Sequence, residues 1–527
     1  MLANEPPRLG MPRRSPSPTP ISDALDRLSA AFARRVAIDH RALAAFRVAL
    51  GTLVIADLAL RSRDLVAFYT DAGVLPRSAL FADYGPVSLH AVSGAAWGQG
   101  LLFLLAGAVA LALVVGYRTR TATAVTWVLL VSLHMRNPMV LNAGDTLLRM
   151  LLFWAMFLPL GDRWAVDARG DQERTTATSV ATMALLFQVV LMYATNAVHK
   201  TRSDAWMRGE AVTHVFQADH LTILLGDVLA GYPAVLEAFA YLWMATILTS
   251  PLLLVFTGLR RVALVAAFVG MHLGMLVTLR IDLFPLIAVA GLIPFFPPAV
   301  WDAAESLADR TGVADRLEVA SKRVGSLSVP AADTVSPPAA PAKLVDGLAD
   351  GLDRARGAFL TVVPCVFLVL VVTSNAAAVD YASMPDPGDR ALDAIQGDQN
   401  WRMFAPTPTR TTKRFEAPAT LENGSEVDAL YRSRVDFDRP ERAQDAYPTS
   451  RWRKYLVNMR FADNEKHRSY FANYLCERWN GERETDAESV TVYYLYERTD
   501  PYDGTSTSGE TAILTYDCSG EFVQNER

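Results

Sequence analysis

The residues best suited to chemistry lie in NAVHKTRSDAW, Asn196–Trp206. Lys200 is the only lysine before Lys322, although arginines are plentiful in that part of the chain. Arginine holds its proton under ordinary conditions, whereas lysine can lose it when desolvated or set beside another cation. His199 and Arg202 are close neighbours in sequence. The pattern fits a proton acceptor or an amine nucleophile. It fits equally a lysine at a helix end that snorkels toward water.

Other polar residues interrupt apolar stretches, where ionisable groups are costly and mark candidate sites. SLHMRNPMVLNAGDTLLRMLLFWAMFLPLGDRWAVD carries His134, Arg136, Asn137, Asn142, Asp145 and Arg149. Asn142 and Asp145 suit a helix start, with Asp145 near the positive end of the helix dipole. A cap plus an Asp145–Arg149 ion pair, four residues apart, accounts for the same residues. MHLGMLVTLRIDLFP sets His272 inside an apolar run, with Arg280 and Asp282 at its end. A lone histidine there is a candidate ligand-facing group or a hydrogen-bonded structural residue. Arg47 and Asp57 could pair with another helix and receive no chemical role. WMRGEAVTHVFQADHLTILLGD reads as an amphipathic helix, with Trp206 suited to a membrane interface and His214 and His220 near its polar side. Its histidines and acids match no metal-ligand spacing, so no metal is expected.

The elements that must position these residues are apolar blocks. The chain has 527 residues, 51% hydrophobic and 20% charged, with a mean hydropathy of +0.18 and net charge −5. That combination requires the apolar residues to be clustered. LLFLLAGAVALALVVG and LTVVPCVFLVLVVTSNAAAV can, with their flanks, cross about 30 Å of hydrocarbon as helices. About nine spans are predicted, near 41–60, 97–116, 121–136, 144–161, 178–198, 234–257, 261–279, 283–298 and 358–379. Basic residues gather in alternate loops: Arg27, Arg34, Arg35 and Arg41, then Arg118 and Arg120, Arg163, Arg169 and Arg174, Arg260 and Arg261, and Lys322, Arg323, Lys343, Arg354 and Arg356. This bias assigns them and the N-terminus to the cytoplasm and the C-terminus to the outside of the cell membrane. Residues 1–34 read as a disordered basic tail and 301–356 as an Ala/Pro-rich cytoplasmic linker that opens on a short amphipathic helix. The last transmembrane helix is placed at 357–380. Residues 381–527 read as a small β-rich exoplasmic domain, with alternating strands in VTVYYLYERT and ETAILTYDC and a hairpin around Asn423-Gly424. Cys476 and Cys518 fall in that domain; they pair as a disulfide or remain two thiols.

Residues 35–300 resemble the transmembrane region of the vitamin K-dependent gamma-carboxylase and its prokaryotic relatives, the HTTM (horizontally transferred transmembrane) domain proteins. The resemblance rests on NPMVLNAGDTLLRMLLFWAMFLPLGDRWAVDA, MYATNAVHKTRSDAWMRGEAV and MHLGMLVTLRIDLFPLIAVAGLIPFFP, with QNWRMFAPTP after the last span. It implies a nine-span α-helical membrane bundle. It also implies that a lysine at the Lys200 position deprotonates vitamin K hydroquinone. Oxygenation of the quinol then yields a base strong enough to remove a glutamate gamma proton, and carbon dioxide adds to the carbanion. The match needs a one-residue insertion before Trp206, and His199 stands where the carboxylase has a second lysine. LNAGDT lacks the histidine of the matching segment, and the C-terminal domain is much smaller.

The expected site is therefore Lys200 as general base, supported by His199, Asn142, Asp145 and His272. The expected ligand is a quinone or vitamin K hydroquinone, and the expected partners are membrane lipid and a lipid-soluble quinol, not nucleic acid. The alternative is a non-enzymatic membrane protein that binds a partner protein or lipid through its exoplasmic domain. A transporter ranks last, since no internal repeat or paired broken helices stand out.

Overall fold

In the computed structural model, residues 20–85, 88–168, 175–312, 342–438, 440 and 443–524 are described. Helices begin where the sequence offers caps. Helix α1 (His40–Ser62) starts behind Asp39, whose side chain accepts from the Arg41 N–H. Helix α2 (Ala96–Val115) stops at Gly116, which takes φ +74°, a conformation glycine reaches without steric cost. Helix α3 is Thr119–Arg136. Helix α4 (Ala143–Ala155) opens with a reciprocal cap between Asn142 and Asp145, and α5 (Val180–Thr201) with one between Ser179 and Thr182. Helix α6 (Pro233–Leu248) carries proline in its first turn, where no N–H is needed. Helices α7 (Gly258–Thr278), α8 (Phe284–Leu292) and α9 (Ala342–Ala378) follow.

Five helices are long and apolar enough to cross a membrane: α1, α2, α5, α7 and the Ala355–Ala378 part of α9. A sixth appears if the bent pair Phe284–Phe295 and Pro298–Arg310 counts as one span. The remaining expected spans are helical but shorter or more polar. Helix α4 has 13 residues and α6 has 16, against the roughly 20 that a bilayer core requires. Burial separates centre from periphery. In α5, 72% of the apolar window is inside the protein, against 28% in α7 and 17% in the last span. Helix α5 is thus the pillar of the bundle, packed against α4, α6 and α9, and it ends in His199 and Lys200.

Three expectations change. Residues 20–36 of the tail form a helix, Pro20–Val36, rather than a structureless segment. The last helix starts at Ala342, inside the expected linker, while residues 313–341 and 1–19 lie outside the described residues. The stretch after Trp206 is not one helix. It breaks into Asp204–Met207 and Glu210–Phe216 at Gly209, whose φ is +81°, with a further short helix at Leu225–Leu229.

The C-terminal part, expected to be β-rich, holds a five-stranded sheet together with helices. Strands β1 (Thr412–Glu416) and β2 (Pro418–Leu421) run end to end along one edge of β4 (Ala487–Thr499). Strand β3 (Glu426–Asp428) pairs with β2, and β5 (Ser506–Asp517) lies on the other edge of β4; every pairing is antiparallel. The β2–β3 hairpin turns at Gly424, φ +76°, as the Asn423-Gly424 pair leads one to expect. Helices α10 (Ser450–Phe461) and α11 (Lys466–Asn480) were not anticipated. They join the sheet to the bundle: Trp452 packs on Phe68, ring centroids 4.7 Å apart, and its Nε1 donates to Asp64 at the end of α1. Cys476 and Cys518 form a disulfide.

Candidate functional site

Lys200 is 2% exposed. It lines a cavity of about 400 Å³, within the range of ligand sites. Its Nζ donates to the Met403 carbonyl at 3.2 Å and lies 3.3 Å from the centroid of the Trp206 ring. No carboxylate pairs with it among the described residues. The cavity walls are mainly apolar, with Phe216, Phe239, Trp243, Met271, Met275 and Phe284 among them.

The segment that meets the lysine is the QNWRMF run. The end of α5 holds it through a series of side-chain bonds. Gln188 and Gln399 exchange amide hydrogen bonds at 2.7 and 3.2 Å. Asn196 Nδ2 donates to the Trp401 and Met403 carbonyls, and Trp206 Nε1 to Phe404 O at 2.7 Å. His199 Nε2 donates to the Asn400 carbonyl at 2.9 Å. Residues 399–404 form a strap over Lys200, and its main-chain carbonyls point at the α5 terminus. This explains why so many polar residues sit at the end of an apolar helix: they satisfy backbone that would otherwise be buried unpaired.

Of the five expected site residues, the fold brings Lys200, Asn142 and His272 to the cavity wall. His272 Nδ1 lies 3.1 Å from Phe268 O, an acceptor only, so that nitrogen carries the proton. Its Nε2 is left to accept from the Tyr193 hydroxyl at 3.3 Å. Asn142 caps α4 with its oxygen, and its Nδ2 donates to Asp282 Oδ2 at 3.1 Å.

The other two stand elsewhere. His199 is turned to the strap. Asp145 is enclosed in an ion cluster, 2.5 Å from Arg61 and held by Arg451 at 2.5 and 2.9 Å. Asp57 joins the same two arginines at 2.7 and 3.0 Å. The expected Asp145–Arg149 pair gives way to this cluster: Arg149 bonds His134 Nδ1 and the Gln396 carbonyl. Among the described residues Arg47 bonds no acid on another helix and donates to the carbonyls of Val114, Leu160, Arg163 and Trp164. Asp57, His134 and Asp145 come close enough for a metal cage, with ligand atoms within 4.8 Å of one another. The guanidiniums of Arg61 and Arg451 already occupy both carboxylates, so positive charge stands where a metal would.

Sequence reasoning missed Tyr193, Asp282, Arg453 and Lys454 as lining residues. Tyr193 was within reach of a pattern argument. Tyr193, Asn196 and Lys200 are spaced three and four apart and share one helix face. Arg453 and Lys454 carry no local signal, since they arrive on α10 from the C-terminal part.

The sequence model of the HTTM domain matches residues 36–301. The chain belongs to the HTTM domain family. With its apolar helices, it is an integral membrane protein. No curated protein and no solved structure matches the chain. The HTTM domain supplies Lys200, Trp206, Asn142 and His272. The strap and the α10 cations lie beyond it, so the cavity is completed by residues that the family match does not cover.

Proposed function

We propose that this HTTM protein is a membrane enzyme in which Lys200, as a free amine, takes a proton from a lipid-soluble quinol held in the cavity. The observation that carries the reading is a buried lysine, without a counter-ion among the described residues, at the wall of an apolar cavity. The step is one proton transfer. The quinol O–H bond breaks, its electron pair stays on oxygen as quinolate, and the proton forms the Lys200 ammonium. The Met403 carbonyl and the Trp206 ring are in place to hold that ammonium. Apolar walls keep water out, and Tyr193 and Asn142 offer polar contacts to the ring oxygens. Arginine at this position would hold its proton and do none of this. The chemistry is the opening step of a reaction of the gamma-carboxylase type.

The finer topology belongs to the same proposal. Nine traverses, with the short α3, α4, α6 and α8 counted, put the N-terminus in the cytoplasm and the C-terminal part outside the cell membrane. The disulfide supports this, because such bonds persist in oxidising compartments. So does the gathering of arginines in alternate loops.

Consumption of vitamin K hydroquinone or a menaquinol by the protein in lipid nanodiscs tests the reading. Lys200→Met and Lys200→Arg should each lose about a hundredfold or more, the usual contribution of a general base. Full turnover in Lys200→Met, with the wild type active, sinks the idea.

A further inference from the structure

The cavity has a second set of charges that the proton transfer leaves unused. Arg453 and Lys454 of α10 line it together with Lys200, against a single carboxylate, Asp282. Asp282 is already engaged: it accepts from Asn142, and Arg451 Nε lies 4.0 Å away. Arg453 donates through Nη2 to the Arg280 carbonyl, but its Nε is buried with no hydrogen-bond partner among the described residues. Lys454 makes no hydrogen bond or ion pair there. Burial, with Arg453 beside it, pulls the Lys454 ammonium below the ordinary lysine value, and burial acts the same way on Arg453. Asp282 offsets part of the burial of Arg453 and Asp145 part of that of Lys454. Partly desolvated cations with no directly bonded carboxylate among the described residues remain costly, and an incoming anion relieves that cost.

The α7 wall of the cavity has different chemistry. Gly270 and Gly274, one helical turn apart on α7, both line the cavity and are exposed. A Cβ built on either meets no atom within 4 Å. On the same face of α7, Leu273 and Val277 are exposed, as side chains facing lipid are. The cavity thus joins a cationic end under α10 to an aromatic and methionine-lined body that opens toward the hydrocarbon.

We infer that the cavity takes an anionic amphiphile, loaded sideways from the membrane past Gly270 and Gly274. Its head pairs with Arg453 and Lys454, and its chain lies along Phe239, Trp243, Met271 and Met275. This rests on the cavity being the ligand site and not on Lys200 acting as a base. A carboxylate and a phosphate head share the required chemistry.

The test is equilibrium binding of radiolabelled dodecanoic acid to the full chain in phosphatidylcholine nanodiscs, competed by dodecyl phosphate and by dodecanol. The acid should bind about tenfold or more tightly than the alcohol, the worth of one charge-assisted contact. Tighter competition by dodecyl phosphate than by unlabelled dodecanoic acid assigns a phosphate head, and the reverse a carboxylate. Arg453→Gln with Lys454→Gln should abolish the preference while leaving the alcohol unchanged. Arg453 also supports the Arg280 backbone, so Lys454→Gln alone provides the variant with no structural bond to lose. Gly270→Leu with Gly274→Leu should weaken both ligands, since it blocks the portal rather than the head site. Equal binding of acid and alcohol by the wild type, or acid affinity unchanged in both α10 variants, overturns the inference. Neither result touches Lys200, whose proposal is read by turnover.

Discussion

At the scale of single residues, Lys200 is defined by what surrounds it: one carbonyl, one indole face and a cavity. An ammonium over an indole gains about 0.5–2 kcal/mol. That attraction acts only once the amine has taken its proton, so it favours the product side of the proposed transfer. Trp206→Leu should therefore slow quinol consumption about three- to thirtyfold, whereas Trp206→Phe, which keeps a ring, should retain more of the rate. Stopped-flow absorbance of quinol loss checks both, and a Trp206→Leu rate equal to wild type makes the ring a mere wall. How far such a site is legible in a sequence depends on distance along the chain. Lys200, Asn142 and His272 could be picked out because each is a polar residue in an apolar run. Asp145 was picked for the same reason, yet its partner Arg451 lies 306 positions away, and no local pattern shows that its charge is already matched.

At the scale of elements, α10 does most to unite the molecule. Thr449 caps it and also bonds Asp64, so the helix is fixed at the end of α1 and aims Arg451 between Asp57 and Asp145. Removing one partner of a buried cluster leaves uncompensated charge. Arg451→Ala should lower stability by about 3–5 kcal/mol, and Arg451→Lys should restore little, because lysine cannot fork across two carboxylates. Chemical denaturation of the detergent-solubilised chain measures this; a loss within experimental error would make the cluster energetically neutral. The sheet holds a second buried acid. Burial, with Asp428 bonded beside it, pushes the Glu416 carboxyl up to about 9 from the ordinary 4.5. The folded state thus binds a proton that the unfolded state releases. Its stabilising effect is complete below pH 4.5 and is lost as pH rises through about 9. Glu416→Gln should flatten the decline of melting temperature across that window, and an unchanged slope refutes the assignment. Strands β4 and β5 were legible from alternation and the β2–β3 hairpin from Asn423-Gly424, whereas β1 was not anticipated. Helices α10 and α11 were not, because their apolar faces are split between sheet and bundle and show no strong single stripe.

At the scale of the whole molecule, the membrane region and the C-terminal part share one core, with Phe68 against Trp452 and Tyr455. The family match at 36–301 therefore marks ancestry, not a boundary of packing. The disulfide ties α11 to the strand end at Cys518 across 42 residues of chain. Closing a loop of that length removes about 4 kcal/mol of unfolded-state entropy in the chain-entropy picture. Cys476→Ser with Cys518→Ser should lower the unfolding free energy, read from chemical denaturation, by about 2–4 kcal/mol. A double variant as stable as the parent would mean that the reduced chain is held by packing alone. Hydropathy made the apolar blocks plain. It also marked 144–161 and 234–257 as spans, but α4 and α6 hold only 13 and 16 helical residues, because their ends break into turns that hydropathy does not register.

The strap over Lys200 has a consequence in time. Lys200 leaves the ribosome 203 residues before the Met403 carbonyl that receives its Nζ. Through all that synthesis the α5 terminus has its amides and imidazole but nothing to grip. The pocket closes only after α9 has been laid down and the chain has doubled back across the bundle. Until then the amine has an open side, and a half-made protein cannot present the enclosed site that a finished one does. The order of the chain sets the order of enclosure: the α5 terminus is made first and the strap that covers Lys200 comes later.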